Sequence, residues 1–256
     1  MTETAAEQLV THTVDEGVAW ITLNRPEKRN AVSGPLRSAL ASAVRQAERD
    51  AGTRVVVLTG SGNAFCAGAD VRELASREPA VDEIRGEYER ILTGLRTMPK
   101  PTIAAVNGVA AGIGASLAMC CDLRYATPGA YFKEAFVNIG LTVDGGVSWL
   151  LPRIVGSGRA LELFYTGDDL SAAQAERMGL VNHVVDAEDL EATVRALAVR
   201  LASGPTEALG AMKRSVNFAA TATLEEAIDF EFLLQGVMME SQDFRARVQA
   251  FVERRA

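Results

Sequence analysis

Two segments of the chain have the residue types and spacing to bind a negative oxygen. Ala64-Phe65-Cys66-Ala67-Gly68-Ala69-Asp70-Val71 and Asn107-Gly108-Val109-Ala110-Ala111-Gly112-Ile113-Gly114-Ala115-Ser116-Leu117-Ala118 each read as a strand, a turn of small residues and a helix. Backbone N–H groups at a helix start have no intrahelical acceptor and carry partial positive charge, so they suit an anion. Two such turns side by side can hold the oxyanion of an enolised thioester. Asp144, in Asp144-Gly145-Gly146, is either an acid/base group or the cap of a helix beginning near Val147. Glu134 is a second candidate acid: in a strand it shares a face with Phe136, and it either reaches the pocket or serves the structure.

Other motifs carry less chemistry. Gly60-Ser61-Gly62 and Gly112-Ile113-Gly114 each lack the third glycine of a dinucleotide fingerprint, with Phe65 and Leu117 in its place. Ser116 has no glycine two residues on and no histidine placed to activate it, which argues against a hydrolase. His12 and His183 are too scattered for a metal site. Cys66, Cys120 and Cys121 do not form a disulfide framework and fit a reducing cytoplasm. Metal-free chemistry is the expectation.

These turns need elements to position them. Val18-Ala19-Trp20-Ile21-Thr22-Leu23 reads as a strand, and Ser33 with Pro35 opens a helix that buries Leu36, Leu40, Val44 and Ala47. Val55 to Thr59 is a continuous apolar strand, the mark of burial on both faces. A charged helix follows from about Asp82, with Ile84, Tyr88, Ile91, Leu92 and Leu95 on one side. Thr102 to Val106, Leu123 to Ala126, Tyr131 to Val137 and Val181 to Val185 read as further strands. Ser171 with Gln174, and Thr223 with Glu226, form capping-box patterns, and Gly179 is placed to end the first of these helices. Leu190, Val194, Leu197 and Leu201 line a helix closed by Gly204-Pro205, and Phe244, Val248, Phe251 and Val252 give the last helix its apolar face. The expected organisation is a core over residues 1–195 that carries the thioester site, then a helical packing or oligomerisation region over 196–256.

The 256 residues can bury a sizeable core, and the net charge of −7 argues against nucleic acid or an anionic membrane as the main partner. Ile103 to Cys121 is long and apolar, but Asn107 and its glycines favour a buried strand–turn–helix over a membrane span. The first seven residues lack the basic and apolar regions of a signal peptide, so a cytoplasmic location is expected.

The two turns also carry a resemblance. With Leu23-Asn24-Arg25-Pro26, Asn30-Ala31, Lys100-Pro101, Asn107-Gly108, Cys121-Asp122, Gly140-Leu141, Asp144-Gly145-Gly146, Leu151-Pro152-Arg153, Thr166-Gly167 and Met178-Gly179-Leu180-Val181, the chain resembles the enoyl-CoA hydratase/isomerase (crotonase) family over nearly its whole length. The resemblance implies an α/β spiral of β-β-α units with a helical C-terminal region, assembled as a homotrimer or a dimer of trimers. It implies an acyl-CoA thioester substrate, with coenzyme A entering as part of that substrate and no separate cofactor. By it, the N–H groups of Ala67 and Ile113 form the oxyanion hole, Lys28, Arg29 and Ala31 lie along the CoA moiety, and Gly68, Ala69 and Asp70 lie near its adenine and thioester arms. Asp70 has a simpler role as the cap of the helix it precedes.

Hydratases of the family hold water between two glutamates. Ungapped matching places Ser116 and Phe136 at those positions, and neither can exchange a proton near neutrality. Isomerases of the family use an aspartate at the place of Asp144. The expected reaction is therefore a C2-to-C4 proton shift on an enoyl-CoA by Asp144, in fatty-acid-type metabolism. The alternatives are a hydratase that uses Glu134 or a bound water, and an inactive acyl-CoA-binding protein. A dinucleotide-dependent dehydrogenase is more distant.

Overall fold

The structure, a computed structural model, describes residues 8–76 and 81–253. Residues 1–7 and the Ile84 side chain lie outside the described residues, as does part of the charged segment between Arg72 and Arg90. Ten strands form two sheets. The first runs β1 (Val10–Asp15), β2 (Val18–Leu23), β3 (Val55–Gly60), β5 (Thr102–Val106), β7 (Leu123–Ala126), β10 (His183–Val184), and the second runs β4 (Ala64–Cys66), β6 (Val109–Ala111), β8 (Tyr131–Lys133), β9 (Asp169–Ser171). Among the described residues, the β1–β2 and β8–β9 pairs are antiparallel and the others parallel.

The helices are α1 (Gly34–Arg49), α2 (Val71–Ser76), α3 (Val81–Thr97), α4 (Ile113–Cys120), α5 (Val147–Val155), α6 (Ser157–Thr166), α7 (Ala172–Arg177), α8 (Leu190–Ala202), α9 (Thr206–Ala219), α10 (Leu224–Glu240) and α11 (Gln242–Glu253). The chain climbs as a spiral. β3 and β4, β5 and β6, and β7 and β8 each place one strand in either sheet, and helices follow each pair. This is the β-β-α repeat expected.

Periodicity explains most of it. α1 buries Leu36, Leu40, Val44 and Ala47, the stripe expected of it, against the first sheet and α3. β5 and every residue of α4 are buried, which accounts for the apolar run from Ile103 to Cys121. Among the described residues no helix is long and apolar enough to cross a membrane. Both capping boxes form, at Ser171/Gln174 and Thr223/Glu226.

Two expectations, both of strands, change. The strand expected over residues 131–137 stops at Lys133, and Ala135–Ile139 is a 3-10 helix closed by Gly140 at φ 73°. β9 pairs with β8 only over three residues, so the chain beyond Lys133 has no ladder to join. Val181 to Val185 likewise shortens to the two residues of β10. The expected division after residue 195 falls inside α8, which packs as one helix through Leu190, Val194, Ala198 and Ala202 against Val18, Val55, Val57 and Ile103.

Candidate active site

The two small-residue turns meet because glycine lets them. At Gly114 a Cβ would collide with the carbonyl oxygen of Cys66, and at Gly68 one would lie 3.1 Å from that of Ala111. The start of α4 is thereby seated on the end of β4. Asn30, fully buried, ties the surrounding loops together. Its Nδ2 donates to the carbonyls of Ser61 (3.0 Å) and Ala64 (2.8 Å), while its Oδ1 accepts the Arg25 N–H (2.9 Å).

The backbone donors differ from expectation at one position. The Ala67 N–H, expected to face the anion, donates to the Arg29 carbonyl at 2.9 Å. Two residues on, Val32 donates to the Gly68 carbonyl (2.8 Å) and accepts from the Asp70 N–H (3.0 Å). That bridge leaves the Ala69 N–H, which alternates to the other side, without a partner among the described residues. Ile113 is the first residue of α4, so its N–H has no intrahelical acceptor. Each of the two turns thus has a backbone N–H without a partner among the described residues, that of Ala69 in the first and that of Ile113 in the second.

The Asp144 loop packs against the start of α4. Gly145 and Gly146, at φ 60° and 80°, turn the chain into α5. A Cβ on Gly145 would lie 2.5 Å from Ser116 Oγ and 2.7 Å from Ile113 Cδ1, so the Asp144 loop rests on the first turn of α4. The Phe136 ring comes within 3.7 Å of the Cβ position of Gly112. Ser116, fully buried, donates through Oγ to the Gly112 carbonyl at 3.4 Å. The cap of α5 is Gly146 and receives no side-chain hydrogen bond, so Asp144 does not cap that helix with its carboxylate. Its residue surface reaches solvent, yet surrounding protein desolvates the carboxyl and raises its pKa. Phe136, Val143 and Trp149, near it in sequence, all pack partly buried against the main core.

Tyr88 was legible only as a packing residue on the α3 stripe. Burial raises the pKa of its phenol, which feels the charges of Arg37, Cys66 and Asp144, and Arg37 also hydrogen-bonds it. Arg37 lies 5.4 Å from the ring centroid. Glu134 is buried, and desolvation followed by the charge of Asp144 pushes it up to about 8. Burial pushes the Cys66 thiol up to about 12, so it remains a packing group.

The residues expected along the CoA moiety lie beside the first turn. Lys28 and Arg29 are exposed, and their side chains have no ion pair among the described residues. The Ala31 carbonyl accepts from Arg25 Nη1 at 3.2 Å. Asp70 pairs with Arg25 Nη1 at 2.7 Å and accepts the Arg72 N–H at 3.1 Å, as a cap of α2 does. The Arg25 hydrogen bond leads in holding its carboxyl below the usual range. Among the described residues no cluster of histidine, cysteine and acidic side chains is grouped to hold a metal ion.

The enoyl-CoA hydratase/isomerase family model matches residues 13–256. The chain belongs to that family. A family member in Escherichia coli (strain K12), named 1,2-epoxyphenylacetyl-CoA isomerase, is 42% identical over 255 residues, covering 98% of this chain and 97% of the relative. Another, named crotonyl-CoA hydratase in Syntrophomonas wolfei, is 35% identical over 245 residues and 94% of each chain. The solved structure of an enoyl-CoA hydratase from Bacillus anthracis superposes with a TM-score of 0.91 at 32% identity, over 96% of this chain and 97% of that one. The fold is the crotonase fold, and the chain is an acyl-CoA enzyme of this family. Its relatives carry both isomerase and hydratase names.

Proposed function

We propose that this family member is an enoyl-CoA isomerase in which Asp144 moves a proton from C2 to C4 while the N–H groups of Ala69 and Ile113 hold the thioester oxygen. The carrying observation is the seating of the Asp144 loop against the Ile113 and Ser116 side chains at the start of α4, the helix whose first N–H is that of Ile113. Asp144 takes the C2 proton, and the C–H electron pair becomes a dienolate whose oxygen charge the two N–H groups stabilise. The same carboxylic acid returns the proton at C4, and the double bond moves to C2–C3. Desolvation shifts Asp144 toward the range in which one group serves as both base and acid.

Lys28 and Arg29 supply free positive charge for the CoA phosphates, with Ala31, Gly68, Ala69 and Asp70 lining that side. Ala67 is left out of the hole because using its N–H would break the bond to Arg29. Coenzyme A enters as part of the substrate. The hydratase reading has relatives' names in its favour, but Ser116 and Phe136 offer no acid pair, and Glu134 is buried.

The test is incubation with a 3-enoyl-CoA in D2O for the wild type and Asp144→Asn, followed by mass and NMR analysis. Isomerised or α-deuterated product in the wild type, reduced at least about 10²-fold in the mutant, is the expected outcome for loss of acid–base catalysis. An equally active mutant moves the chemistry elsewhere. Addition of water to a 2-enoyl-CoA that disappears in Glu134→Ala establishes the hydratase instead.

A further inference from the structure

The Leu23-Asn24-Arg25-Pro26 segment leaves the end of β2 and has no part in the chemistry proposed. Its arginine nonetheless reaches the first small-residue turn. Arg25 is fixed by Asn30 through both of its backbone groups. Its N–H donates to Asn30 Oδ1 and its carbonyl accepts the Asn30 N–H, each at 2.9 Å. The side chain is 19% exposed, and a single guanidinium nitrogen, Nη1, donates to the Ala31 carbonyl at 3.2 Å and to Asp70 Oδ2 at 2.7 Å. Glu27 lies at the other side of the guanidinium, 3.7 Å from Nε. The two acceptors of Nη1 belong to residues adjoining the isolated parallel bridge between Val32 and Ala69.

That bridge extends the arginine contact into a continuous chain of hydrogen bonds. The Ala31 carbonyl and the Val32 N–H are one planar peptide group, and this N–H donates to the Gly68 carbonyl at 2.8 Å. The Gly68 carbonyl and the Ala69 N–H are the next peptide group. The order is therefore the Arg25 guanidinium, the Ala31–Val32 peptide, the Gly68–Ala69 peptide and, at the end, the Ala69 N–H. An amide whose oxygen accepts a hydrogen bond becomes a stronger donor at its nitrogen, and a charged donor at the head strengthens each link. The peptide on the other side of Ala69 is held as well, since the Asp70 N–H donates to the Val32 carbonyl at 3.0 Å. The direction of the Ala69 N–H is thus set in advance. Ile113 has a different support, the aligned peptides of α4, whereas Ala69 lies two residues ahead of the short α2. Pairing with Arg25 also offsets the Asp70 charge, which next to Ala69 would otherwise repel an anion.

We propose that Arg25 is a positioning residue for the oxyanion hole: through the Ala31–Val32 and Gly68–Ala69 peptides it orients and polarises the N–H that meets the thioester oxygen. This role rests on Ala69 as a donor of the hole, and not on which acid moves the proton. The oxygen carries more charge in the dienolate than in the bound thioester. A stronger donor therefore gains more after proton removal, and the effect of Arg25 falls on kcat rather than on KM.

The test compares the wild type with Arg25→Met and Arg25→Gln. Isotope-edited infrared spectra of bound hexanoyl-CoA, labelled with carbon-13 at the thioester carbonyl, read the hole without turnover. In the wild type the carbonyl band lies at lower frequency than in the free ligand. In Arg25→Met it returns most of the way to the free value, and Arg25→Gln, which keeps an N–H donor but no charge, falls between the two. With a 3-enoyl-CoA, kcat falls about tenfold in Arg25→Met while KM stays within about twofold, a fraction of the ~10²–10³-fold cost of losing a whole hole donor. A band at the wild-type position in folded Arg25→Met overturns the proposal whatever happens to Tm, because an ion pair that only fastens α2 leaves the bound carbonyl unchanged. Arg25→Gln decides in the same way if Arg25→Met does not fold. An unshifted band in the wild type overturns the hole itself and the role of Arg25 with it, whereas a shifted band that the variants keep overturns the role of Arg25 alone.

Discussion

At the scale of single residues, the site depends on where side chains are missing as much as on where they are present. Gly145 is the sharpest case, since it combines a left-handed φ of 60° with a Cβ position 2.5 Å from Ser116 Oγ. Alanine there costs about 1–2 kcal/mol for the backbone alone, and the clash lifts the Asp144 loop off α4. Gly145→Ala is expected to lower Tm by several degrees and, if Asp144 acts as proposed, kcat/KM at least tenfold, because a 1 Å displacement of an acid/base group is costly. Adding Ser116→Ala removes the nearest clashing atom and is expected to recover part of both losses. Wild-type Tm and kcat/KM in the single variant would show that the loop does not depend on this seat. The same attention to backbone donors favours Ala69 over Ala67 in the proposed oxyanion hole. Ala67 and Ala69 are alike in composition and two residues apart, and only the bond from Ala67 to Arg29 separates them.

At the scale of elements, buried polar pins join parts of the chain that apolar packing leaves loose. α9 has one buried residue, Gly210, which packs against Pro99. Lys213 anchors it instead, donating to the carbonyls of Leu95 (2.9 Å) and Lys100 (3.2 Å) and to Thr102 Oγ1 (3.3 Å), and pairing with Asp122 at 3.0 Å. Lys213→Met is expected to cost about 2–3 kcal/mol in denaturant unfolding. This is less than removing one partner of a fully buried pair, since Asp122 is partly exposed and keeps its bonds to Thr102. An unfolding midpoint equal to the wild type would mean that α9 docks without the pin. Such pins were not legible in the sequence, because a lysine on a mixed helix looks the same whether it points to solvent or to carbonyls 113 and 118 residues away. Periodic features were legible: α1, β3, β5 and both capping boxes follow directly from spacing. The short strands were not. β8 and β10 end where their partners end, which no local pattern in residues 131–137 or 181–185 records. The site was legible in its parts, as two glycine turns and Asp144, but the burial of Glu134 and the place of Tyr88 are products of tertiary packing.

At the scale of the whole molecule, the C-terminal helices leave apolar surface that the single chain does not cover. On α10, Leu224, Phe232, Leu233 and Val237 are exposed at 72%, 74%, 64% and 56%, and on α11 Val248 and Val252 are exposed as well. A groove of about 570 Å³ runs between α9, α10 and α11, with Met212, Val216, Leu234, Met238 and Phe244 among the residues that line it. A single soluble chain rarely exposes a large contiguous apolar patch, and one rimmed by charges such as Glu231, Asp243 and Arg247 has the composition of a subunit interface. Copies of the same chain most often meet through closed point-group symmetry. Phe232→Asp in combination with Leu233→Asp places two charges at the most exposed part of the patch. The wild type is expected to sediment as a homo-oligomer, and the double variant as a smaller species whose far-UV circular dichroism is unchanged. Desolvating two carboxylates in an apolar contact costs several kcal/mol, enough to shift assembly by more than a hundredfold in concentration. A wild type that sediments as a monomer would remove self-association as the reason for this surface. A double variant that keeps the wild-type mass would move the interface to the exposed apolar residues Leu161 and Tyr165 of α6.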